Sequence, residues 1–449
     1  MKTTTTYLFF LGCLCLAQVS CRKYLGAKPD QSITTPSTIG DLEGILDNYN
    51  FVNARYPSAS EVSADSYYLV QTDWNSLNDR QRNFYTWQKS DDIGADYTSS
   101  YSAIEYANII LDALPNISGG SPQERNGIEG NALFIRASYH YALAQLFAKG
   151  YDKATAGSDL GIALRLTSDI AVKPVRSNLA ATYGSVITDL QQSVPLLPAD
   201  PGVKYKAGKA AAYGMLARVY LSMSDYKNAG LYADSALHLY STLIDYNTVN
   251  AKAAIPFPQF NDEVIYDSRA PAPQALSAAK ARIDTVLYAS FAASDLRKTI
   301  FFKANANGSH GFKGNYTGLN NASLFTGIAT DELYLVKAEA AARNGDVSGA
   351  LQSLNALLVT RWKTGTYAPY TVTDASQLLG LILRERRKEL LFRGLRWTDL
   401  RRLNKDASYS AVLLRNLNGT AYTLEPGSPR YVFEIDQNAV SISGLVQNP

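Results

Sequence analysis

Cys21 is the side chain whose neighbours define its chemistry most closely. It follows Gln18-Val19-Ser20. A small residue directly before a cysteine suits a peptidase that cuts there once the thiol has taken a diacylglycerol. Gln18 departs from the leucine usual at that position. Of the three cysteines, Cys13 and Cys15 lie in the apolar run Tyr7–Ala17. Removal of that run leaves Cys21 as the last thiol, so the mature chain can form no internal disulfide, although exported chains often carry them. A leftover cysteine in an exported chain needs a reason, and lipidation supplies one. Ordinary secretion with Cys21 as an unmodified thiol is the alternative.

Catalytic chemistry is poorly represented. The three histidines are His140, His238 and His310. His140 and His238 fall in helical patterns and read as ordinary helix residues. His310 sits in a glycine-rich loop without cysteine or acidic neighbours at ligand spacing. The sequence contains no HExxH, GxSxG, P-loop or GxGxxG motif. Asp91-Asp92 has the residue types for glycoside hydrolysis, but sequence does not measure the carboxylate separation that mechanism needs, and a solvated loop is the plainer reading. The expectation is a protein that is not an enzyme. Asp and Asn are plentiful in the loops, yet no ordered calcium-ligand spacing occurs, and no metal or cofactor is expected.

Binding chemistry is better represented. Sugars present flat C–H faces and rims of hydroxyls, which suit aromatic rings flanked by amides, arginines or carboxylates. Trp74 with Tyr67, Tyr68, Asp65, Asp73 and Asn75 is the strongest local concentration. Trp87 with Phe84, Tyr85 and Arg82 is the second, and Tyr316 with Asn315 and Asn320 the third. Loop packing is the competing explanation for each. The 30 tyrosines against 15 phenylalanines and 4 tryptophans favour wet aromatic surfaces, although tyrosine-rich helix packing would use most of them too.

The elements that must carry these residues begin with a leader. Lys2 and the apolar run Tyr7–Ala17 fit the h-region of a signal peptide, about 7–15 residues long, and fall short of the roughly 20 needed to span a bilayer. Residues 1–20 therefore read as a signal peptide and 21–40 as a lipidated N-terminus and tether. Residues 41–449 read as a single body with no apolar stretch of membrane-spanning length. With 43 Lys and Arg against 40 Asp and Glu, the formal charge of +3 gives no field for nucleic acid.

Helical periodicity dominates the body. It predicts helices over 39–53, 97–115, 124–150 and 178–197, with a loop-rich stretch over 54–95. Segments 216–237 and 335–358 resemble each other: when Asp225 is set against Asp346, Ala217 meets Ala338 and Ala229 meets Ala350. Each reads as a helix, a polar turn and a second helix, the hairpin logic of tetratricopeptide repeats. Residues 242–330 intervene, rich in Pro, Asn, Gly and aromatics, and read as long functional loops with short strands. Arg384–Glu389 is an unbroken run of charged residues between apolar blocks. A solvated face is the usual reading of such a run, but Glu385 and Glu389 share a helix face, and the flanking residues predict burial with Arg–Glu pairing. Residues 408–449 read as a short β-containing tail.

Taken in order, these stretches resemble the SusD/RagB family of nutrient-binding outer-membrane lipoproteins. The resemblance rests on Cys21 to Leu25 with Pro29; on Tyr101, Ile104 and Asn108; on Arg136-Ala137; and on Lys206-Ala207-Gly208 with Arg218. Its most specific part is Glu385-Arg386-x-x-Glu389-Leu390-x-Phe392-x-Gly394-x-Arg396-Trp397-x-Asp399. Gly26 stands where the family usually has an acid. The resemblance implies a mainly α fold: a TPR-like helical-hairpin superhelix with long irregular loops and a few short strands. The body would comprise an N-terminal helical part (about 41–240), a loop-rich insert (about 242–330) and a C-terminal helical part (about 331–449).

The resemblance also implies a role at the cell surface, anchored in the outer membrane by lipid alone. Such proteins bind a nutrient oligosaccharide and pass it to a TonB-dependent barrel transporter of the SusC type. A peptide-binding member of the family, and a TPR-like envelope adaptor without a nutrient ligand, are the alternatives. The family's ligand residues vary, so the candidates are those read from the residues themselves: Trp74, Tyr67, Tyr68, Trp87, Tyr85 and Tyr316. Glu385, Arg386, Glu389, Arg396, Trp397 and Asp399 are expected to be structural.

Overall fold

A computed structural model describes residues 36–448, and from Thr38 onward they form one compact unit. The signal peptide, Cys21 and most of the expected tether lie outside the described residues. Among the described residues no helix is long and apolar enough to cross a membrane.

The helices start where side chains satisfy their exposed N–H groups. Thr38 and Asp41 form a capping box at α1 (Ile39–Asp47), and Ser121 and Glu124 form one at α3 (Pro122–Phe147). Asn178 accepts from Ala181 N at the start of α4 (Leu179–Leu196). Between α1 and α2 (Ala95–Ala113) the chain makes four short helical pieces, Tyr49–Val52, Ala59–Ser63, Gln71–Asn75 and Asp79–Tyr85, which is why residues 54–95 carry no long period. From Gly130 to Phe147, α3 is buried on all sides apart from the half-buried Arg136, because α1, α2 and α4 all pack on it. Arg136 ties the three main helices together: it chelates Asp189 of α4 at 2.7 and 2.8 Å and donates to Asn108 of α2 at 3.2 Å.

Two further hairpins follow. The first is α5 (Lys209–Ser222) with α6 (Tyr226–Leu239), and the second is α7 (Thr330–Arg343) with α8 (Val347–Leu358). The internal similarity of the sequence is real in three dimensions. Asp225 and Asp346 both cap the second helix, with φ/ψ of −86°/78° and −85°/80°. Ala217, Ala338, Ala229 and Ala350 are all fully buried. The insert does not separate the hairpins in space, since α6 packs directly on α7. Gly230 permits that approach: a Cβ there would lie 3.0 Å from the Ala340 methyl. Two further helices, α9 (Ala375–Glu389) and α10 (Arg396–Leu403), close the array.

The strands are short and occur only as antiparallel pairs among the described residues. Four pairs involve the insert: Tyr67–Tyr68 with Arg282–Ile283, Val264–Tyr266 with Ile328–Ala329, Arg269–Ala270 with Leu324–Phe325, and Phe302–Ala304 with His310–Phe312. The expected β tail is the hairpin Leu413–Leu417/Thr420–Leu424, turned by Asn418 and Gly419, both at positive φ as that tight turn requires. The fold is mainly helical, TPR-like, with irregular loops, as expected.

Candidate functional site

Four residues of the charged block of α9, Glu385, Arg386, Lys388 and Glu389, are buried, and two of their partners, Asp295 and Arg297, come from the insert. Arg297 reaches Asp295 at 2.7 Å, Glu385 at 2.6 Å and Glu389 at 2.9 Å. Arg361 bridges Glu389 at 2.7 Å and Glu263 at 2.8 Å. Arg386 pairs with Asp399, which also holds Arg402, and Arg396 chelates Asp65 at 2.6 and 2.8 Å. Trp397 is buried beside Tyr431, with ring centroids 4.7 Å apart. These are fixed, mutually satisfied charges that clamp the C-terminal helices and the insert together.

Glu263, Asp331 and Glu389 bring carboxylate oxygens within 4.8 Å of one another, the spacing of a metal site. Arg361 already lies between the two glutamates, and Arg393 holds Asp331 at 2.9 Å. The guanidinium groups of Arg361 and Arg393 supply the positive charge that a metal cation would otherwise bring to these carboxylates.

The aromatic candidates separate sharply. Tyr316 is fully buried; its hydroxyl donates to Glu263 at 2.6 Å and meets Tyr246 at 2.9 Å, while Arg393 covers its ring at 3.7 Å. Tyr85 is covered by Arg415 at 3.7 Å and donates nothing outward: its hydroxyl accepts from Leu69 N at 2.8 Å. Trp87 donates to Ser63 O at 2.9 Å from inside the core, and Tyr67 donates to Val62 O at 2.7 Å. All four rings are buried, at most 4% exposed, which counts against the stacking role expected from sequence for Tyr67, Tyr85, Trp87 and Tyr316. Strand alternation separates Tyr67 from its neighbour, since Tyr67 points inward and Tyr68 is half-buried. Trp74 is also half-buried; its indole N–H donates to Arg82 O, and the Arg82 guanidinium lies 5.7 Å from its ring centroid.

The insert builds a cleft with a volume of ≈ 270 Å³. Phe312, Phe392, Leu276 and Leu324 form its apolar side, and Phe312 and Phe392 pack with centroids 4.8 Å apart. Asn315, Asn320, Asn321, Lys252, Lys303 and Lys313 supply its polar atoms. Asn315 is anchored by donating to Ser323 O and accepting from Thr317 N, whereas Asn320 is exposed. Lys313 donates to Ala251 O at 2.5 Å and Ala253 O at 3.1 Å, and its partial burial lowers its pKa. An aromatic floor under an amide rim is the arrangement that suits a sugar ring.

The Trp74 segment docks on the wall of this cleft. Tyr68 pairs with Arg282, Asp73 pairs with the Arg282 guanidinium, and the adjoining Ala281 lines the cleft. The Trp74 segment therefore adjoins the cleft through Arg282 and Ala281, whereas Phe84, Tyr85 and Trp87 lie in the core and Arg82 packs on Trp74. Sequence reasoning missed Phe312 and Phe392. Phe392 belongs to the C-terminal motif and holds φ = +54°, a strained value for a bulky residue that turns its ring under the cleft.

A larger hollow of ≈ 1040 Å³ lies among the hairpin turns around Ser224 and Asn344. Its charges are mostly committed already: Arg402 to Glu339, Lys405 to Asp152, and Arg343 to Glu339 with its guanidinium over Tyr226. The histidines do not assemble a catalytic group. His140 is buried, which pushes its pKa down to about 3, and His310 stacks on Tyr288 at 3.6 Å. Asp92 is exposed and pairs with Arg80 at 2.8 Å.

The molecule is thus an array of helical hairpins bearing a cleft built from loops of a long insert. A family described as SusD-like, starch-binding and associating with the outer membrane matches residues 23–221, and the SusD family matches residues 310–449. These stretches take in most of the chain, which belongs to the SusD/RagB family. No curated protein matches the sequence. Among solved structures, a SusD superfamily protein from Bacteroides vulgatus aligns with a TM-score of 0.76 at 20% identity, over 92% of this chain and 99% of that one. One from Bacteroides thetaiotaomicron gives 0.74 at 20%, over 92% and 100%. Surface glycan-binding protein A from Bacteroides uniformis gives 0.68 at 17%, over 91% and 98%. These likenesses establish the shared fold.

Proposed function

We propose that the protein is a lipid-anchored subunit of the outer membrane that binds nutrient oligosaccharides at the insert cleft and passes them to a TonB-dependent barrel transporter. The observation that carries the reading is the cleft itself, an aromatic floor under asparagine and lysine side chains, on a chain of the SusD/RagB family. Glycan binding by a structural neighbour supports it. Tyr68 and Trp74 extend the binding face beyond the cleft wall, and acyl chains on Cys21 hold the body at the membrane. The protein's part is capture and delivery, without catalysis.

Isothermal titration of the detergent-solubilised, full-length protein against a panel of oligosaccharides and peptides tests the reading. Saturable binding of an oligosaccharide supports it, and binding of peptides alone overturns the glycan assignment. Affinity purification from membranes tests the partner: a barrel transporter is expected as the dominant companion, and an assembly or secretion machine in its place would favour the adaptor alternative.

A further inference from the structure

We infer that the insert cleft selects glycans carrying negative charge, as uronate carboxylates or sulfate esters. The inference rests on the glycan-binding reading above and names the class of glycan. Its basis is the sign of the charge around the cleft. Lys252, Lys303 and Lys313 line it, and no aspartate or glutamate does. The whole chain is almost balanced, with 43 basic against 40 acidic residues, so this imbalance is local.

None of the three lysines is committed to a carboxylate among the described residues. Lys89, Lys149, Lys206, Lys337, Lys388 and Lys405 all have carboxylate partners. The ammonium groups of Lys252 and Lys303 show neither an ion pair nor a hydrogen bond among the described residues, and both side chains are exposed. Lys303 lies across its own hairpin, where a Cβ on Gly311 would be 3.4 Å from its Cε, so the ammonium is carried on a paired strand and not on a free loop. Lys313 spends two of its three N–H bonds on Ala251 O and Ala253 O, which leaves one for a ligand.

The chemistry follows from these placements. A neutral sugar needs acceptors for its hydroxyl protons as well as donors, and carboxylates are the strongest acceptors a protein offers. This cleft offers amide and backbone acceptors only, with three cationic donors. A carboxylate or sulfate on the sugar rim would meet these cations as charge-assisted hydrogen bonds while the ring lies against Phe312.

Titration of the detergent-solubilised protein with three probes of equal length tests this: a uronide, a sulfated oligosaccharide and a neutral gluco-oligosaccharide. The acidic probes are expected to bind more tightly than the neutral one, and to weaken as salt is raised from about 0.01 M to about 1 M, where the screening length falls from roughly 30 to 3 Å. The Lys252→Gln/Lys303→Gln variant is expected to bind the acidic probes at least about fivefold more weakly, with its melting temperature unchanged because both sites are exposed. The uronide and sulfated arms decide which anion is preferred. Neutral probes bound as tightly as acidic ones, with no response to salt or to the double replacement, would overturn the charge assignment and leave glycan binding intact. Failure of all three probes, with peptides bound instead, would overturn both readings.

Discussion

Arg218 and Glu332 face each other in a buried, two-point ion pair, with Nε to Oε1 at 2.9 Å and Nη2 to Oε2 at 2.6 Å. The pair joins α5 to α7 across the whole insert. Arg218 also donates to Thr326 O at 3.1 Å and to Gly327 O, so one guanidinium fixes both the second hairpin and the loop that leads into it. Replacing Arg218 by Met strands a buried carboxylate and leaves two carbonyls unpaired. The expected cost is about 3–5 kcal/mol, read as a lowered urea midpoint. The Arg218→Met/Glu332→Leu double variant is expected to recover part of the loss, because the stranded charge is gone while the carbonyls remain unpaired. A single variant as stable as the parent would show that the pair does not hold the hairpins together.

Glu61 lies in the short helix Ala59–Ser63 and Asp65 just beyond its end, and the two carboxyls are driven in opposite directions. Burial, helped by the Asp65 charge and opposed by the N–H of Gly394, pushes the Glu61 carboxyl from 4.5 up to about 7. Burial acts on Asp65 too, but the chelating Arg396 and nearby Arg387 outweigh it and hold that carboxyl well below its usual range. Between pH 4.5 and about 7 the folded protein binds the extra proton on Glu61 that the unfolded chain has released, so this group's contribution to stability falls as pH rises. Glu61→Gln keeps an acceptor for Gly394 and removes the titration. Its stability relative to the parent is expected to rise by about 1–3 kcal/mol between mildly acidic and mildly alkaline pH. Asp65 works the other way, losing its contribution only as pH falls below the ordinary aspartate range. A pH-independent difference between parent and Glu61→Gln, followed by thermal denaturation, would contradict this assignment.

Phe312 is the ring most directly placed to meet a sugar. Phe312→Ala is expected to weaken oligosaccharide binding by about 1–3 kcal/mol, measured by titration calorimetry. Trp74→Ala is expected to cost about 1 kcal/mol, less than a central anchor, because Arg82 already occupies part of its surroundings. If Trp74→Ala leaves affinity unchanged while Phe312→Ala lowers it, the binding face ends at the cleft wall.

In the proposed lipid-anchored form, Cys21→Ala removes the thiol that would carry the acyl chains. The variant is expected in the soluble fraction after gentle lysis, where the parent sediments with membranes. A variant that still sediments would mean that the body is held by something other than its lipid.

The local features of the fold were legible because they are decided within a few residues. Ser121 with Glu124, Asn178 and Asp346 each satisfy N–H groups three positions away, so the helix starts are written in adjacent side chains. The match of Asp225 to Asp346 was legible for the same reason, since the repeated turn is local chemistry. The burial of Glu385 and Glu389 was legible from the apolar residues beside them, but their partners Arg297 and Arg361 come from remote segments and had no local signature.

The candidate site was legible only in outline. The sequence by itself determined that aromatic residues and amides gather in loops on a helical-hairpin scaffold and that family resemblance runs along most of the chain. Only the tertiary structure decided which rings face outward. Tyr67 and Tyr68 are neighbours in sequence, yet one is core and the other half-buried, because pairing with Arg282 and Ile283 sets the face each presents. Tyr316 and Phe312 differ for the same kind of reason: Tyr316 is drawn inward by Glu263 and Arg393, while Phe312 stays on the cleft. Exposure is a property of everything that packs around a side chain, and most of what packs around these residues lies far from them along the chain.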